Sequence, residues 1–185
     1  MASTSFDHTW RLWDAETGAC LLVQEGHGRE VYALAWHPDG ALVCTADLGG
    51  VGRVWDLRSG KPLLPLHGHL LGVLSADFHS DGWRLATGGL DNQVRIWDLR
   101  GKRCAAVLPL HARAVSHVKW APASGGFLAT ASHDRTVKLW SARDWTAQGV
   151  LVGHEAPVFG LALSRLDERR IATCSYDRTW KLWTA

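Results

Sequence analysis

The chain has 185 residues, 46% of them apolar and 21% charged, with a net charge of +2. That length and composition suit one globular domain with a packed core, and they exclude a disordered chain. The small net charge excludes a general polyanion binder, leaving only short mixed stretches such as Arg100 to Arg103, and no segment approaches the roughly 18 apolar residues of a membrane span.

In chain order, residues Met1 to His8 contain no apolar run of signal-peptide length, so a soluble intracellular protein is expected. Ser3, Asp7 and Trp13 read as the second half of a repeated unit whose first half is missing. A strand over residues 19–23 follows. The next unit opens with a strand from Val31 to Trp36, then the turn His37-Pro38-Asp39-Gly40, where Pro presets φ and Gly supplies the left-handed angle. Strands from Leu42 to Thr45, up to Trp55, and from Pro62 to Leu66 complete it. The same order recurs with Val73 to Phe78, the turn Ser80-Asp81-Gly82, Leu85 to Gly88, a strand ending at Trp97, and Arg103 to Leu108. It recurs again with Val115 to Trp120, the turn from Ala121 to Gly126, Phe127 to Ala131, a strand ending at Trp140, and Gln148 to Val152. A last unit runs from Val158 to Trp183. Its first turn departs from the pattern with Arg165 to Arg170, and its final strand, Thr179 to Trp183, reads as an apolar edge open to another chain.

The units keep one register. Trp13, Trp55, Trp97, Trp140 and Trp183 are spaced by 42, 42, 43 and 43 residues, and His27, His69, His111 and His154 by 42, 42 and 43. A Gly68-His69 pair near the start of a unit and Trp97-Asp98 near its end resemble the signature of the WD repeat, whose period of roughly 40–45 residues builds β-propeller blades. The resemblance implies an all-β WD40 β-propeller that is incomplete. Three full four-stranded blades (24–66, 67–108, 109–152) would lie between partial ones (1–23, and 153–185 without its outer strand), as the C-terminal part of a seven-bladed ring. The alternative is a tight four-bladed ring in which residues 19–23 complete the last blade.

Each unit also carries a His, a Thr, an Asp and a Trp. The sets are His69, Thr87, Asp91 and Trp97; His111, Thr130, Asp134 and Trp140; and His154, Thr173, Asp177 and Trp183. Hydroxyl, imidazole and carboxylate suggest a hydrolase triad. An active site is needed once, however, and this constellation recurs. In the WD family it resembles a structural tetrad in which Asp accepts from imidazole, imidazole from Thr, and Thr from indole, so that every buried donor is satisfied. No enzyme activity, cofactor or small-molecule substrate is expected. Some positions depart from the pattern. Gly49 stands six residues before Trp55, where an Asp is expected, so His27 either loses its carboxylate or takes Asp47, and this blade is expected to be the loosest. His111 follows Leu110 rather than Gly, and Trp140 and Trp183 precede Ser141 and Thr184 rather than Asp. His67 and His69 lack a third ligand at metal-binding spacing. Arg11, Arg53, Arg95, Lys138 and Lys181, two residues before each Trp, read as a blade feature. Cys20, Cys44, Cys104 and Cys174 show no C-x-x-C spacing and read as free, buried thiols.

The remaining variation falls on a rim. In the family the turns bearing His and Asp share one face, and Arg29, Leu48, Leu71, Leu90, Arg113, His133 and Tyr176 vary there, a mixture that suits a protein interface. The runs Gly52 to Gly60, Val94 to Arg100 and Ile171 to Trp183 resemble the spliceosomal WD-repeat proteins of the U4/U6 small nuclear ribonucleoprotein. That likeness implies a nuclear, non-catalytic scaffold contacting other U4/U6 and tri-snRNP proteins, with at most peripheral contact to U4/U6 snRNA. A rival follows from Trp55-Asp56-Leu57-Arg58 and Trp97-Asp98-Leu99-Arg100. These resemble the W-D-x-R boxes by which substrate receptors of cullin-4 ubiquitin ligases dock their adaptor, through Arg58 and Arg100 here.

Overall fold

The computed structural model describes residues 1–109 and 111–184. All of its regular structure is β, arranged as five antiparallel sheets. Strands β1 (Ala2–Thr4), β2 (Trp10–Trp13) and β3 (Cys20–Gln24) form sheet 1. Sheet 2 contains β4 (Val31–Trp36), β5 (Leu42–Asp47), β6 (Gly52–Asp56) and β7 (Lys61–Leu66). Sheet 3 contains β8 (Val73–Phe78), β9 (Arg84–Gly89), β10 (Val94–Asp98) and β11 (Arg103–Leu108). Sheet 4 contains β12 (Val115–Trp120), β13 (Phe127–Ser132), β14 (Thr136–Ser141) and β15 (Ala147–Val152). Sheet 5 contains β16 (Val158–Leu163), β17 (Arg170–Ser175) and β18 (Trp180–Thr184). Every sheet is a meander in sequence order, because short turns can join only antiparallel neighbours. The sheets form an open arc, an incomplete propeller.

Burial explains the strand types. Second strands such as β5 and β9 are covered on both faces, so they are continuously buried from Val43 to Ala46 and from Leu85 to Gly89, apolar or small but for the tetrad residues Thr45 and Thr87. Outer strands such as β11 alternate between exposed and half-buried positions, as one face meets solvent. Gly40 (φ 75°) and Gly82 (φ 76°) occupy the left-handed turn positions that their Pro-Asp-Gly and Ser-Asp-Gly contexts call for.

The core lies between sheets. Ala33, Cys44 and Val54 of sheet 2 pack on Phe78, Leu85 and Trp97 of sheet 3. Ala86 and Ile96 of sheet 3 pack on Val118 and Trp140 of sheet 4, and Ala129 and Leu139 of sheet 4 on Leu161 and Ile171 of sheet 5. Trp97, Trp140 and Trp183 therefore each face the preceding sheet. Turns at the sheet edges latch neighbours together. His37 Nε2 lies 2.7 Å from the Gly82 carbonyl and His79 Nε2 3.0 Å from the Gly125 carbonyl. The Glu168 carboxylate accepts from the Ala123 and Ser124 N–H groups at 2.6 and 2.8 Å, so the irregular turn of the last unit still contributes a latch.

Several sequence-based expectations change. Strands β5, β9 and β13 run one or two residues further, β7 begins at Lys61, β15 at Ala147, and β18 starts at Trp180 and ends at Thr184. Strand β3 pairs with β2 within sheet 1, so residues 19–23 do not complete the last sheet and the four-bladed ring is excluded. Of the four cysteines only Cys44 is buried, its thiol pushed up to about 12 by desolvation. Cys104 is half-buried, and Cys20 and Cys174 are exposed, because the strands that carry them turn one side to solvent. Leu110 lies outside the described residues.

Candidate functional site

The repeated polar residues meet inside the sheets. Thr87 Oγ1 lies 2.8 Å from His69 Nε2 and accepts the Trp97 indole N–H at 2.8 Å, while His69 Nδ1 faces Asp91 at 2.9 Å. In sheet 4 the same bonds join His111 to Asp134 (2.8 Å) and Thr130 (2.8 Å), and Trp140 to Thr130 (3.1 Å). In sheet 5 they join His154 to Asp177 (2.7 Å) and Thr173 (2.8 Å), and Trp183 to Thr173 (2.8 Å). One proton arrangement satisfies all of them: imidazole Nδ1–H donates to carboxylate, Nε2 accepts from the Thr hydroxyl, and the Thr oxygen accepts from indole. In sheet 1 only a remnant remains, with the Trp13 indole donating to Ser3 Oγ at 2.8 Å and Asp7 turned toward Thr9 and Arg11.

Sheet 2 corrects the expectation of a loose blade. Asp47 supplies the missing carboxylate, 2.8 Å from His27 Nδ1, and Thr45 lies 2.7 Å from both His27 Nε2 and the Trp55 indole nitrogen. All four side chains are buried.

Electrostatics fit a neutral imidazole. Burial depresses the basicity of His27, His69 and His111, outweighing the carboxylate beside each. Burial alone would raise Asp134, but hydrogen bonds from Thr136 and His111 prevail and hold it at about 2. The carboxylates also tie turn to turn: Asp91 accepts from Leu70 N–H, Asp134 from Ala112 N–H and Asp177 from Glu155 N–H. The Thr hydroxyls are buried, and both ring nitrogens of His69 are engaged, leaving none for a metal with His67.

These bonds build the surface above them. Leu48 N–H donates to the Glu30 carbonyl, Leu90 to Gly72, His133 to Ala114 and Tyr176 to Pro157, at 2.8 to 3.0 Å. The His-bearing and Asp-bearing turns therefore share one end of the arc. Arg29, Leu71, Leu90, Arg113 and Tyr176 are exposed there, while Leu48 and His133 are half-buried. A cavity of about 670 Å³ opens at this end, with Leu48, Leu90 and His133 in its wall. The wall also includes Tyr32, Leu74 and Phe159, which the sequence reading missed. Each follows the first Val of its strand, beside a β-bulge, and so sits on the outward side of an alternating pattern. Phe6, exposed and stacked 6.5 Å from Tyr32, was also missed, although it lies seven residues before Trp13 as Leu48 does before Trp55. Phe159 contacts both His133 (4.8 Å) and Tyr176 (3.8 Å), extending the apolar arc to sheet 5.

Arg58 and Arg100 are exposed beyond the third strands, at the other end of the arc. They are not equivalent. The Arg100 guanidinium lies 5.3 Å from the Trp83 ring centroid, with Arg84 at 4.9 Å from the same ring. The position matching Trp83 in sheet 2 is Ala41, which offers Arg58 no ring.

The family model for the WD domain, G-beta repeat, matches residues 18–56, 60–98, 102–141 and 145–184. Each matched repeat begins in the outer strand of one sheet and ends in the third strand of the next, so consecutive sheets are tied through the sequence itself. Curated relatives align over about one repeat. Coronin-7 of Mus musculus is 47% identical over 45 residues, 24% of this chain and 5% of that protein. The F-box-like/WD repeat-containing protein TBL1X of Mus musculus is 50% identical over 40 residues (22% and 8%), and the WD40 repeat-containing protein HOS15 of Arabidopsis thaliana 49% over 43 residues (23% and 7%). The chain thus matches less than a tenth of the length of each. With four matched repeats covering most of its residues, and tetrads inside its sheets, the chain belongs to the WD40 repeat family.

Proposed function

We propose that the protein is a non-catalytic protein-interaction scaffold of the U4/U6 and U4/U6·U5 small nuclear ribonucleoproteins, acting in pre-mRNA splicing in the nucleus. WD40 repeats generally serve as interaction scaffolds. The observation that carries the interface is the apolar arc on the His-turn end, where Phe6, Leu48, Leu90 and Tyr176 occupy one position of the repeat beside Tyr32 and Phe159. Aromatic and aliphatic anchors on a rigid rim suit protein recognition, and the flanking Arg29 and Arg113 add charge-assisted bonds. The spliceosomal assignment rests on the runs Gly52 to Gly60, Val94 to Arg100 and Ile171 to Trp183. With a net charge of +2, contact with U4/U6 snRNA would be peripheral. Affinity purification of the tagged chain, followed by mass spectrometry and RNA sequencing, tests it. Tri-snRNP proteins and U4/U6 snRNA should co-purify, and their absence sinks the splicing assignment.

The exposure of Arg58 and Arg100 supports a second reading, a substrate receptor docking a cullin-4 ligase adaptor. The same purification would then recover the adaptor, and Arg58→Ala with Arg100→Ala would lose it.

A further inference from the structure

The cavity at the His-turn end is apolar at its mouth and polar below. Tyr32, Leu48, Leu74, Leu90 and Phe159 form a collar, while Ser75, His117 and Lys119 stand further along the first strands of sheets 3 and 4. No carboxylate lines it, and Lys119 is its one charged wall residue. These polar groups have bonding capacity to spare. Lys119 Nζ donates to Asp77 at 2.7 Å, which leaves two of its three N–H bonds without a protein acceptor, and its side chain is 37% exposed. Ser75 Oγ accepts the Val118 N–H at 3.2 Å, and its own hydrogen meets no acceptor among the described residues. His133 Nε2 is buried in the wall without a partner. Asp77 lies on the far side, in the wall of a cavity of about 470 Å³ at the opposite end of the arc, where its second oxygen accepts the Trp120 N–H at 2.8 Å. Periodicity does not account for the donors. The positions that hold Ser75 and Asp77 in β8, and His117 and Lys119 in β12, hold Ala33 and Ala35 in β4 and Gly160 and Ala162 in β16. A feature that every sheet needs would recur, as the tetrad does.

We propose, on the footing that this end is the protein interface described above, that the cavity receives a glutamate side chain from a linear segment of the partner. Its carboxylate meets Lys119, and the apolar residues beside it rest on the collar. A carboxylate complements a wall that holds one cation, spare donors and no acid, and such charge-assisted bonds strengthen away from bulk water. The stem of Glu, longer than that of Asp, suits a cation set below an apolar mouth. Arg29 and Arg113, exposed at the same end, add attraction at longer range.

A phage-displayed library of random dodecapeptides, panned against the full chain, tests this. Enriched sequences are synthesised with amidated C-termini and titrated by fluorescence anisotropy. They should share a Glu among apolar residues, and Gln in its place should weaken binding by about tenfold or more. Asp77→Asn keeps an acceptor for the Trp120 N–H, removes the carboxylate that competes for Lys119, and should tighten the same peptides by about threefold. Asp77→Asn with Lys119→Met removes the ion pair whole, leaving no buried charge alone, and should weaken them by about tenfold. Thermal melts confirm that both variants fold. A pair that serves only the fold would move both variants in the same direction. Enriched peptides that do not need their Glu, two variants that shift together, or a library without a binder each overturn the proposal. Where peptides that do not need Glu still lose affinity on Leu90→Asp and Tyr176→Ala, the rim interface stands without it. Where they ignore those substitutions, both fall.

Discussion

Asp47 Oδ2 meets His27 Nδ1 at 2.8 Å from a chain position two residues earlier than the aspartates that partner His69, His111 and His154. Its other oxygen accepts the Gly49 and Val51 N–H groups, both at 3.0 Å, so one carboxylate closes the tetrad and the turn together. Asp47→Ala would leave the buried His27 Nδ1–H without an acceptor and free the Gly49 and Val51 N–H groups of the turn, and should cost about 2–3 kcal/mol in urea unfolding. Adding Asp at the usual position should not restore it. A Cβ on Gly49 would lie 2.9 Å from Arg29 Cγ, so Asp47→Ala with Gly49→Asp should remain at least as unstable.

That substitution marks where the sequence stops being legible. The period of Trp and His located the sheets to within a residue or two, because the pattern repeats and each copy checks the others. The polar set was readable for the same reason in sheets 3 to 5. In sheet 2 the carboxylate's identity was visible but its reach was not, since whether Asp47 arrives depends on turn geometry. Tyr32, Leu74 and Phe159 were hidden differently: they stand inside predicted strands, and only the bulges that turn them outward put them on the rim. Exposure of Cys174 depends on which face of sheet 5 is covered, which no local pattern reports.

Thr130 accepts the Trp140 indole N–H and lies 2.8 Å from His111 Nε2. Thr130→Val keeps the shape and removes both interactions. The indole N–H and the imidazole nitrogen would then be buried without partners, and stability should fall by about 2 kcal/mol in urea. Thr136→Val, half-buried at the start of β14, removes one of several bonds to Asp134 and should cost less.

Acid should unfold the protein in two stages. His27, His69 and His111 are depressed in the fold, so the unfolded chain binds more protons below its own histidine value near 6.5. Their stabilising contribution is complete above that value and is lost as pH falls from it through their lower folded values. Desolvation takes His117, half-buried in the wall of the cavity beside His133, down to about 4, so its share is lost between 6.5 and 4. Asp134, at about 2, adds a loss between 3.8 and 2. Asp77, raised by burial, works the other way and softens the decline. Urea midpoints should be flat above pH 7 and fall below 6.5. His117→Leu should recover about 2 kcal/mol at pH 4 relative to its effect at pH 7.

Leu90→Asp and Tyr176→Ala alter exposed rim side chains whose backbone bonds to Gly72 and Pro157 do not need them. Leu90→Asp should leave the melting temperature within a degree or two, Tyr176→Ala, which also loses the ring contact with Phe159, should lower it by about 2–4 °C, and each should reduce retention of co-purifying proteins by about tenfold or more, as hot-spot truncations do. Arg29→Ala with Arg113→Ala should act chiefly on association rate, with the deficit shrinking at high salt. Retention unchanged by all four substitutions would move the interface off this end.

Arg100 and Arg58 separate stability from docking. The Arg100 guanidinium lies over Trp83, a cation–π contact worth about 0.5–1 kcal/mol at an exposed site, while Arg58 has only Ala41 at the matching position. Arg100→Ala should lower the urea midpoint by that amount, and Arg58→Ala should leave it unchanged. Lysine at position 100 keeps the charge with a weaker ring contact and should fall between. If both arginines dock an adaptor, each alanine variant should weaken capture regardless of its effect on stability. If they serve only the blade, capture of every partner should be indifferent to Arg58→Ala, and the stability difference between the two variants should be the whole effect.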